Sequence, residues 1–459
     1  MDLVKALRLG SLPRVAFVGA GGKTTAMFTL ARELRPPVWV TATTHLAVEQ
    51  FSLADAHFFV ESPQDVEAVL EQARTPNVVL FVGPEVEAGR TSGLRAESLT
   101  RLHTLADSLE VPLLIEADGS RQKPLKAPAP YEPVISDFVD TVVVVAGLSA
   151  LNQPLTADRV HRLERFSPLS GLQVGEAITP QALAQVLTHP QGGLKGIPGK
   201  ARHVALLNQA DTAVLREQAS SLAGYLLPSY QAVVVSALKP SDGPPEAEDL
   251  PGVYAVHERI AGVILAAGEA RRFGQSKLTL PWRGKPLVSH VAQTALEAEL
   301  APVIVVTGAH REQVSEALVG LPLNLVHNPQ WEKGQSTSLQ AGLGEVPADV
   351  GGVVFLLADQ PGVPVGLIQE LVAVHSRGLS PIVAPRVRGK RGNPVLFDRA
   401  LFPELMMVSG DVGGRSLFGQ YQAEWVPWED AGMLIDVDVE EDYQRLLGMD
   451  EQVKDVKDQ

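Results

Sequence analysis

The chain of 459 residues contains no cysteine. That excludes disulfides, thiolate-ligated zinc, iron–sulfur clusters and a cysteine nucleophile, and it fits a reducing compartment. Positive charge is short as well: 39 Lys and Arg stand against 53 Asp and Glu, a formal net charge of −14. Such a protein is not expected to take nucleic acid as its main partner, and any anion site in it must be a local cationic pocket. Long hydrophobic runs are missing too. The longest, around Val142–Leu148, falls far short of the roughly 20 residues that span a bilayer, and Met1-Asp-Leu-Val-Lys5 carries no signal-peptide pattern. The expectation is a cytoplasmic protein with no membrane partner.

What is present describes a soluble globular protein too long for one ordinary core, so two or three domains are expected. Lys239-Pro-Ser-Asp-Gly-Pro-Pro-Glu-Ala-Glu-Asp-Leu-Pro-Gly252 is rich in proline, glycine and acid and has linker composition. The reading is a domain over 1–240, a linker over 241–257, a second domain over 258–449 and a charged tail over 450–459. Both domains alternate short apolar strands with helical spacing, which implies α/β folds with mostly parallel sheets and ligands at the C-terminal strand ends.

In the first half, Arg14-Val-Ala-Phe-Val18 reads as a strand, Gly19-Ala-Gly-Gly-Lys-Thr-Thr25 as a Gly-rich loop, and Ala26–Leu34 as a helix. This is a phosphate-loop-like arrangement. Backbone N–H groups of Gly19, Gly21 and Gly22 and the helix start would cradle phosphates; Lys23 would neutralise them, and Thr24, with Thr25 beside it, would reach a magnesium ion. The loop is shortened, since the first glycine of the strict motif would fall at Phe17. The apolar run Pro112-Leu-Leu-Ile115 delivers Glu116 and Asp118 to a strand end, where acidic residues hold a magnesium-bound water in such folds. Thr41–His45 is a hydroxyl cluster with a histidine that either ligates metal or positions phosphate, or simply caps a strand. Asn208-Gln-Ala-Asp211 is a weakened guanine-reading motif, or Asp211 is a plain helix cap. Together with Glu116–Arg121 and Lys123–Lys126, these segments resemble selenium-dependent hydroxylase accessory proteins. The resemblance implies a nucleotide-dependent role, with ATP or GTP, in maturing molybdenum hydroxylases.

In the second half, the strand Val263-Ile-Leu265 breaks into Ala266-Ala-Gly268, small enough for a nucleotide to lie on bare backbone. The cations Arg271, Arg272 and Lys277 follow, as a triphosphate requires. Val303–Thr307 is a strand ending in Gly308; Gly334–Leu343 supplies hydroxyls, Ser336 among them, at a helix start. The apolar run Gly352–Ala358 ends in one carboxylate, Asp359, a rigid support for a magnesium ligand. The segment from Gly262 through Leu287 resembles the signature of the molybdenum-cofactor nucleotidyltransferases, in particular the cytidylyltransferase branch; Ala270 and Phe273 depart from it without removing charge.

This resemblance implies a Rossmann-like nucleotidyltransferase fold of the nucleotide-diphospho-sugar transferase type and transfer of CMP from CTP to the terminal phosphate of the molybdopterin cofactor, with magnesium. Leu265, Ala266, Ala267, Gly268, Arg271, Gly308 and Ser336 would bind the nucleotide, and Arg272 and Lys277 the β- and γ-phosphates. Asp359 and Asp436 would hold the metal, Asp438 being the fallback on the same strand face. Asn393, Asp411 and Arg415 would line the acceptor side. Transfer of GMP, transfer to a sugar or alcohol phosphate, and a cofactor-binding chaperone for the hydroxylase apoenzyme remain alternatives.

Overall fold

The computed structural model describes every residue except Ala88, 240–250, 270–275 and 458–459. Arg271, Arg272 and most of the linker therefore lie outside the described residues. The chain divides into two compact units, Met1–His257 and Glu258–Gln459.

The first unit is built on nine strands: β1 Arg14–Gly19, β2 Val38–Ala42, β3 Ala56–Phe59, β4 Val78–Val82, β5 Leu113–Glu116, β6 Thr141–Gly147, β7 Arg202–Asn208, β8 Ala232–Ala237 and β9 Gly252–His257. Their spatial order is β9-β8-β7-β6-β1-β5-β2-β4-β3, parallel throughout except for β9. The central strands are apolar on both faces, such as Val78-Val-Leu-Phe-Val82 and Val142-Val-Val-Val145, because a parallel sheet is covered on both sides by its crossover segments. Helices α1 Lys23–Glu33, α2 Ala96–Ser108, α3 Pro180–Thr188 and α4 Ala213–Leu226 belong to this cover. The chain runs outward from β1 in both directions, so the Gly-rich loop after β1 lies at a topological switch point, where open sheets bind ligands.

β9 corrects the linker expected over 241–257. Val253 and Val256 are buried, and the strand pairs antiparallel with β8. Two apolar residues three apart gave too little alternation for a strand to be read. The second expected boundary also shifts: the last helix runs Glu440–Lys457, through most of the charged tail.

The second unit carries an eight-stranded sheet. Its strands are β10 Ile260–Ala266, β11 Val303–Thr307, β12 Asn324–His327, β13 Gly352–Leu357, β14 Ile382–Val387, β15 Lys390–Arg391, β16 Val395–Asp398 and β17 Ala423–Trp428. The order runs β12-β11-β10-β13-β16-β14, with β15 and β17 also pairing β14. β10 is parallel to both β11 and β13, and β16 is antiparallel to β13 and β14. Period-two alternation divides the core by face: Ile260, Ile264 and Val305 join one apolar cluster, and Ala261, Val263 and Ile304 the other. Among the described residues no helix is long and apolar enough to cross a membrane.

Candidate functional site

In the second unit β10 ends at the sheet's switch point, and Ala266, Ala267 and Gly268 follow. Gly308, after β11, closes against this loop: a Cβ there would lie 2.3 Å from the Ala267 carbonyl oxygen, so only glycine fits. A Cβ at Gly268 meets no described atom within 4 Å, and Gly268 is exposed whereas Ala266 and Ala267 are buried. Helix α5, Gln335–Leu343, starts nearby in sequence to its pin: Asn328, after β12, donates from Nδ2 to Thr337 Oγ1 at 2.8 Å and Ser338 Oγ at 3.0 Å. Ser336 is buried inside the first turn rather than capping it; Gly334 is the cap residue.

β13 carries Asp359 past its end, and there the charges gather. Lys277 Nζ donates to Asp359 Oδ2 and to Asp438 Oδ1, both at 2.7 Å. Burial opposes the ammonium, yet the two carboxylates outweigh it and raise the Lys277 pKa above its ordinary value. The neighbouring Asp436 takes a different partner, accepting from Gln360 Nε2. Burial raises the Asp436 pKa; the Gln360 hydrogen bond works against this, and Asp359 and Asp438 add to it. The backbone joins the two segments as well, through Val437 N–H to the Asp359 carbonyl at 3.1 Å. Of the two aspartates read as candidates near the chain end, Asp438 shares the cation with Asp359, and Asp436 stands one hydrogen bond aside. Asp442, in the first turn of the last helix, accepts from Val439 N–H at 3.2 Å.

Asp411 accepts from Gln335 N–H at 3.1 Å, so its carboxylate sits on the start of α5. Asn393 precedes β16, whose register sets Val395 opposite Phe355 and so directs Asn393 toward the Asp359 end of β13. Arg415 is exposed in the turn segment Gly410–Gly419.

In the first unit, Lys23 is buried and lies 3.3 Å from Asp118 and 3.7 Å from Glu116, while donating to the Gly19 carbonyl at 2.8 Å. Thr24 donates to Glu116 Oε2 at 2.8 Å. Burial raises the Glu116 pKa; Lys23 and the Thr24 hydroxyl pull it back. Three loop amides are already engaged: Gly19 N–H on Asp118 at 3.1 Å, Ala20 N–H on the Val145 carbonyl at 2.9 Å and Gly21 N–H on the Lys123 carbonyl at 3.1 Å. The donors that the loop leaves for an anion are those of the first turn of α1, with Thr24 and Thr25, which have no acceptor within the helix. Asn208 braces the loop from β7, donating to the Gly21 carbonyl at 2.8 Å. Its Oδ1 accepts from Ser236 and from Leu238 N–H, so all its groups point inward. Thr212, not Asp211, caps α4. His45 is exposed, and Thr41 is buried on the Phe81 carbonyl. A network unread in the sequence lies behind the loop: Lys126 bridges Asp118 at 2.7 Å and Glu132 at 3.0 Å, and Arg162 grips Glu132 through both carboxylate oxygens. Glu132 and Arg162 sit in no motif, so only the fold brings them there.

The two halves match separate families. Residues 15–164 match the model described as YqeC protein, and residues 262–425 the MobA-like NTP transferase domain. The uncharacterized protein YqeC of Escherichia coli K12 is 32% identical over 212 residues, 44% of this chain and 80% of that protein. The nicotine blue oxidoreductase of Paenarthrobacter nicotinovorans is 33% identical over 199 residues, 41% of this chain and 96% of that protein. The molybdenum cofactor cytidylyltransferase of E. coli K12 is 25% identical over 185 residues, 39% of this chain and 92% of that protein. The chain belongs to the YqeC family through its first half and to the MobA-like NTP transferases through its second.

Proposed function

We propose that the second unit transfers CMP from CTP to the terminal phosphate of the molybdopterin cofactor and releases pyrophosphate. The observation that carries this is the convergence of Lys277, Asp359 and Asp438 at the end of β13, beside the loop Ala266–Gly268. The name of the cytidylyltransferase relative supports the choice of base and acceptor. Nucleotidyl transfer is mainly positioning and charge neutralisation, so cations and carboxylates suffice and no nucleophilic side chain is required.

Asp359 and Asp438 fit a hard divalent cation, since two carboxylates already converge on one positive charge; Asp436 could join them on leaving Gln360. Magnesium, when bound, would neutralise charge on the triphosphate. Lys277 would turn from the carboxylates to the phosphates, the backbone of Ala266–Gly268 and Gly308 would seat the nucleotide, and Asn393 and Arg415 would face the acceptor. Arg271 and Arg272 keep their assignment from the sequence.

The first unit is proposed as a phosphate-loop-like nucleotide-binding accessory domain that serves the same pathway, with a molybdenum hydroxylase apoenzyme as the partner of the whole chain. Lys23, Thr24 and Thr25 at the start of α1, with Glu116 and Asp118, are its site.

The experiment is pyrophosphate release by the full chain with molybdenum cofactor, magnesium and CTP, GTP or ATP in turn. Release with CTP is the expected result. Release with GTP alone would make it a guanylyltransferase, and silence with every nucleotide would overturn the transferase reading.

A further inference from the structure

In the first unit the segment after Asp118 packs against the Gly-rich loop and carries a second lysine into its ion cluster. The two-residue strands Leu125–Lys126 and Val160–His161 pair in parallel, with His161 opposite Lys126, and this ladder brings Arg162 to Glu132. The Lys123 carbonyl of the same segment accepts from Gly21 N–H at 3.1 Å. A row of alternating charge results, running Lys23, Asp118, Lys126, Glu132, Arg162, with Glu116 beside Lys23. Lys23, Lys126 and Arg162 balance Glu116, Asp118 and Glu132 charge for charge.

The two lysines are held very differently. Lys126 uses all three of its N–H donors, on Asp118 Oδ2 at 2.7 Å, the Gly119 carbonyl at 2.7 Å and Glu132 Oε2 at 3.0 Å. Its side chain and that of Asp118 are each 2% exposed, so it has neither a donor nor a path for a ligand. Lys23 makes one hydrogen bond among the described residues, to the Gly19 carbonyl at 2.8 Å, and stands 3.3 Å from Asp118 and 3.7 Å from Glu116. Asp118 thus gives its short ionic contact to Lys126, and its two oxygens also accept from Gly19 N–H at 3.1 Å. A buried carboxylate draws in whichever cation is close. Without Lys126, the remaining cation within 4 Å of Asp118 among the described residues is Lys23.

We propose that Lys126 is a positioning residue of the first unit's nucleotide site: it neutralises Asp118 and so leaves Lys23 loosely held, ready to turn to a phosphate, while Glu132 and Arg162 fix Lys126 in place. This rests on the reading of the first unit as a nucleotide-binding domain. Removing the charge of Lys126 hands Lys23 to Asp118, and a phosphate must then compete with a short buried ion pair. Neutralising Glu132 does the opposite. Lys126 then turns its whole charge to Asp118, and the cluster gains one net positive charge toward an arriving anion. A role confined to holding the fold would give both substitutions the same sign, since each breaks a buried pair.

The test is calorimetric titration of the full chain with ATP or GTP and magnesium; the binding that Lys23→Met removes belongs to the first unit. Lys126→Met should weaken that binding about tenfold, the worth of one charged hydrogen bond, and Lys126→Arg should recover part of the loss. Glu132→Gln should tighten it, although Glu132→Gln and Lys126→Met both lower the melting temperature of the first unit. Wild-type affinity in Lys126→Met, or weaker or unchanged affinity in Glu132→Gln, overturns the proposal. If Lys126→Met does not fold, Glu132→Gln decides by the same sign. Should the wild type bind neither nucleotide, the nucleotide reading fails separately, and crystal structures of the wild type and of the variants that fold then decide. Lys23 drawn into hydrogen-bonding distance of Asp118 in Lys126→Met, or farther from it than 3.3 Å in Glu132→Gln, supports the role of Lys126. An unchanged separation overturns it.

Discussion

Lys277 sits 2.7 Å from each of two carboxylates that would otherwise repel one another, and this makes it the residue on which the second unit's chemistry is most easily tested. Lys277→Met keeps most of the side-chain volume and removes the charge. It should lower pyrophosphate release by about 10²- to 10³-fold, the usual effect of losing one preorganised donor, with far-UV circular dichroism unchanged. Activity near wild type would remove Lys277 from the mechanism. Asp359→Asn should cost as much, and Asp438→Asn should cost more than Asp436→Asn, because Asp438 and not Asp436 shares the cation. An equal cost for the last two would restore the original pairing of Asp359 with Asp436. In the sequence Asp359 stands out because it ends the apolar run Gly352–Ala358, and Lys277 because it closes the cationic stretch after Ala266–Gly268. The choice between Asp436 and Asp438 was not legible there. The two are two residues apart and share a face of an extended chain, and what separates them is Gln360, 76 residues away from Asp436.

At the scale of the element, the order strand, Gly-rich loop and helix between Arg14 and Leu34 matches the sequence reading, since the apolar run and the glycines leave little choice, but the helix starts at Lys23 rather than Ala26. Where the loop's donors go was beyond the sequence. Ala20 N–H and Gly21 N–H are taken by carbonyls of Val145 and Lys123, which lie on segments remote in the chain. The loop's hold on its shape rests on Gly21, with φ of 86° and a Cβ position 2.2 Å from the Gly147 nitrogen. Gly21→Ala should therefore force the loop off Gly147, beyond the roughly 1–2 kcal/mol that a left-handed alanine costs by itself. Thermal denaturation should show a lower melting temperature for the first unit, and binding of ATP or GTP to the full chain should be lost, while pyrophosphate release by the second unit stays. Nucleotide binding that survives the substitution would show that the helix start alone holds the phosphates.

For the whole molecule, the division into two units followed from linker composition, but the boundary did not, because β9 supplies backbone pairing that composition cannot reveal. β8 is fully buried, so without β9 one edge of it, Ala232–Ala237, would meet water. Three fragments separate these contributions: 1–240, 1–257 and 258–459. The last should keep the transfer reaction of the full chain, since the catalytic residues and their partners all lie within it. The fragment 1–257 should melt in one cooperative step. The fragment 1–240 should melt lower, because it loses the burial of Val253 and Val256, about 1.5–3 kcal/mol each. At about 2–4 °C per kcal/mol for a unit of this size, the drop is on the order of 10 °C. Equal melting temperatures for 1–240 and 1–257 would make β9 a passenger on the sheet, and the sequence boundary at 240 would then be the energetic one.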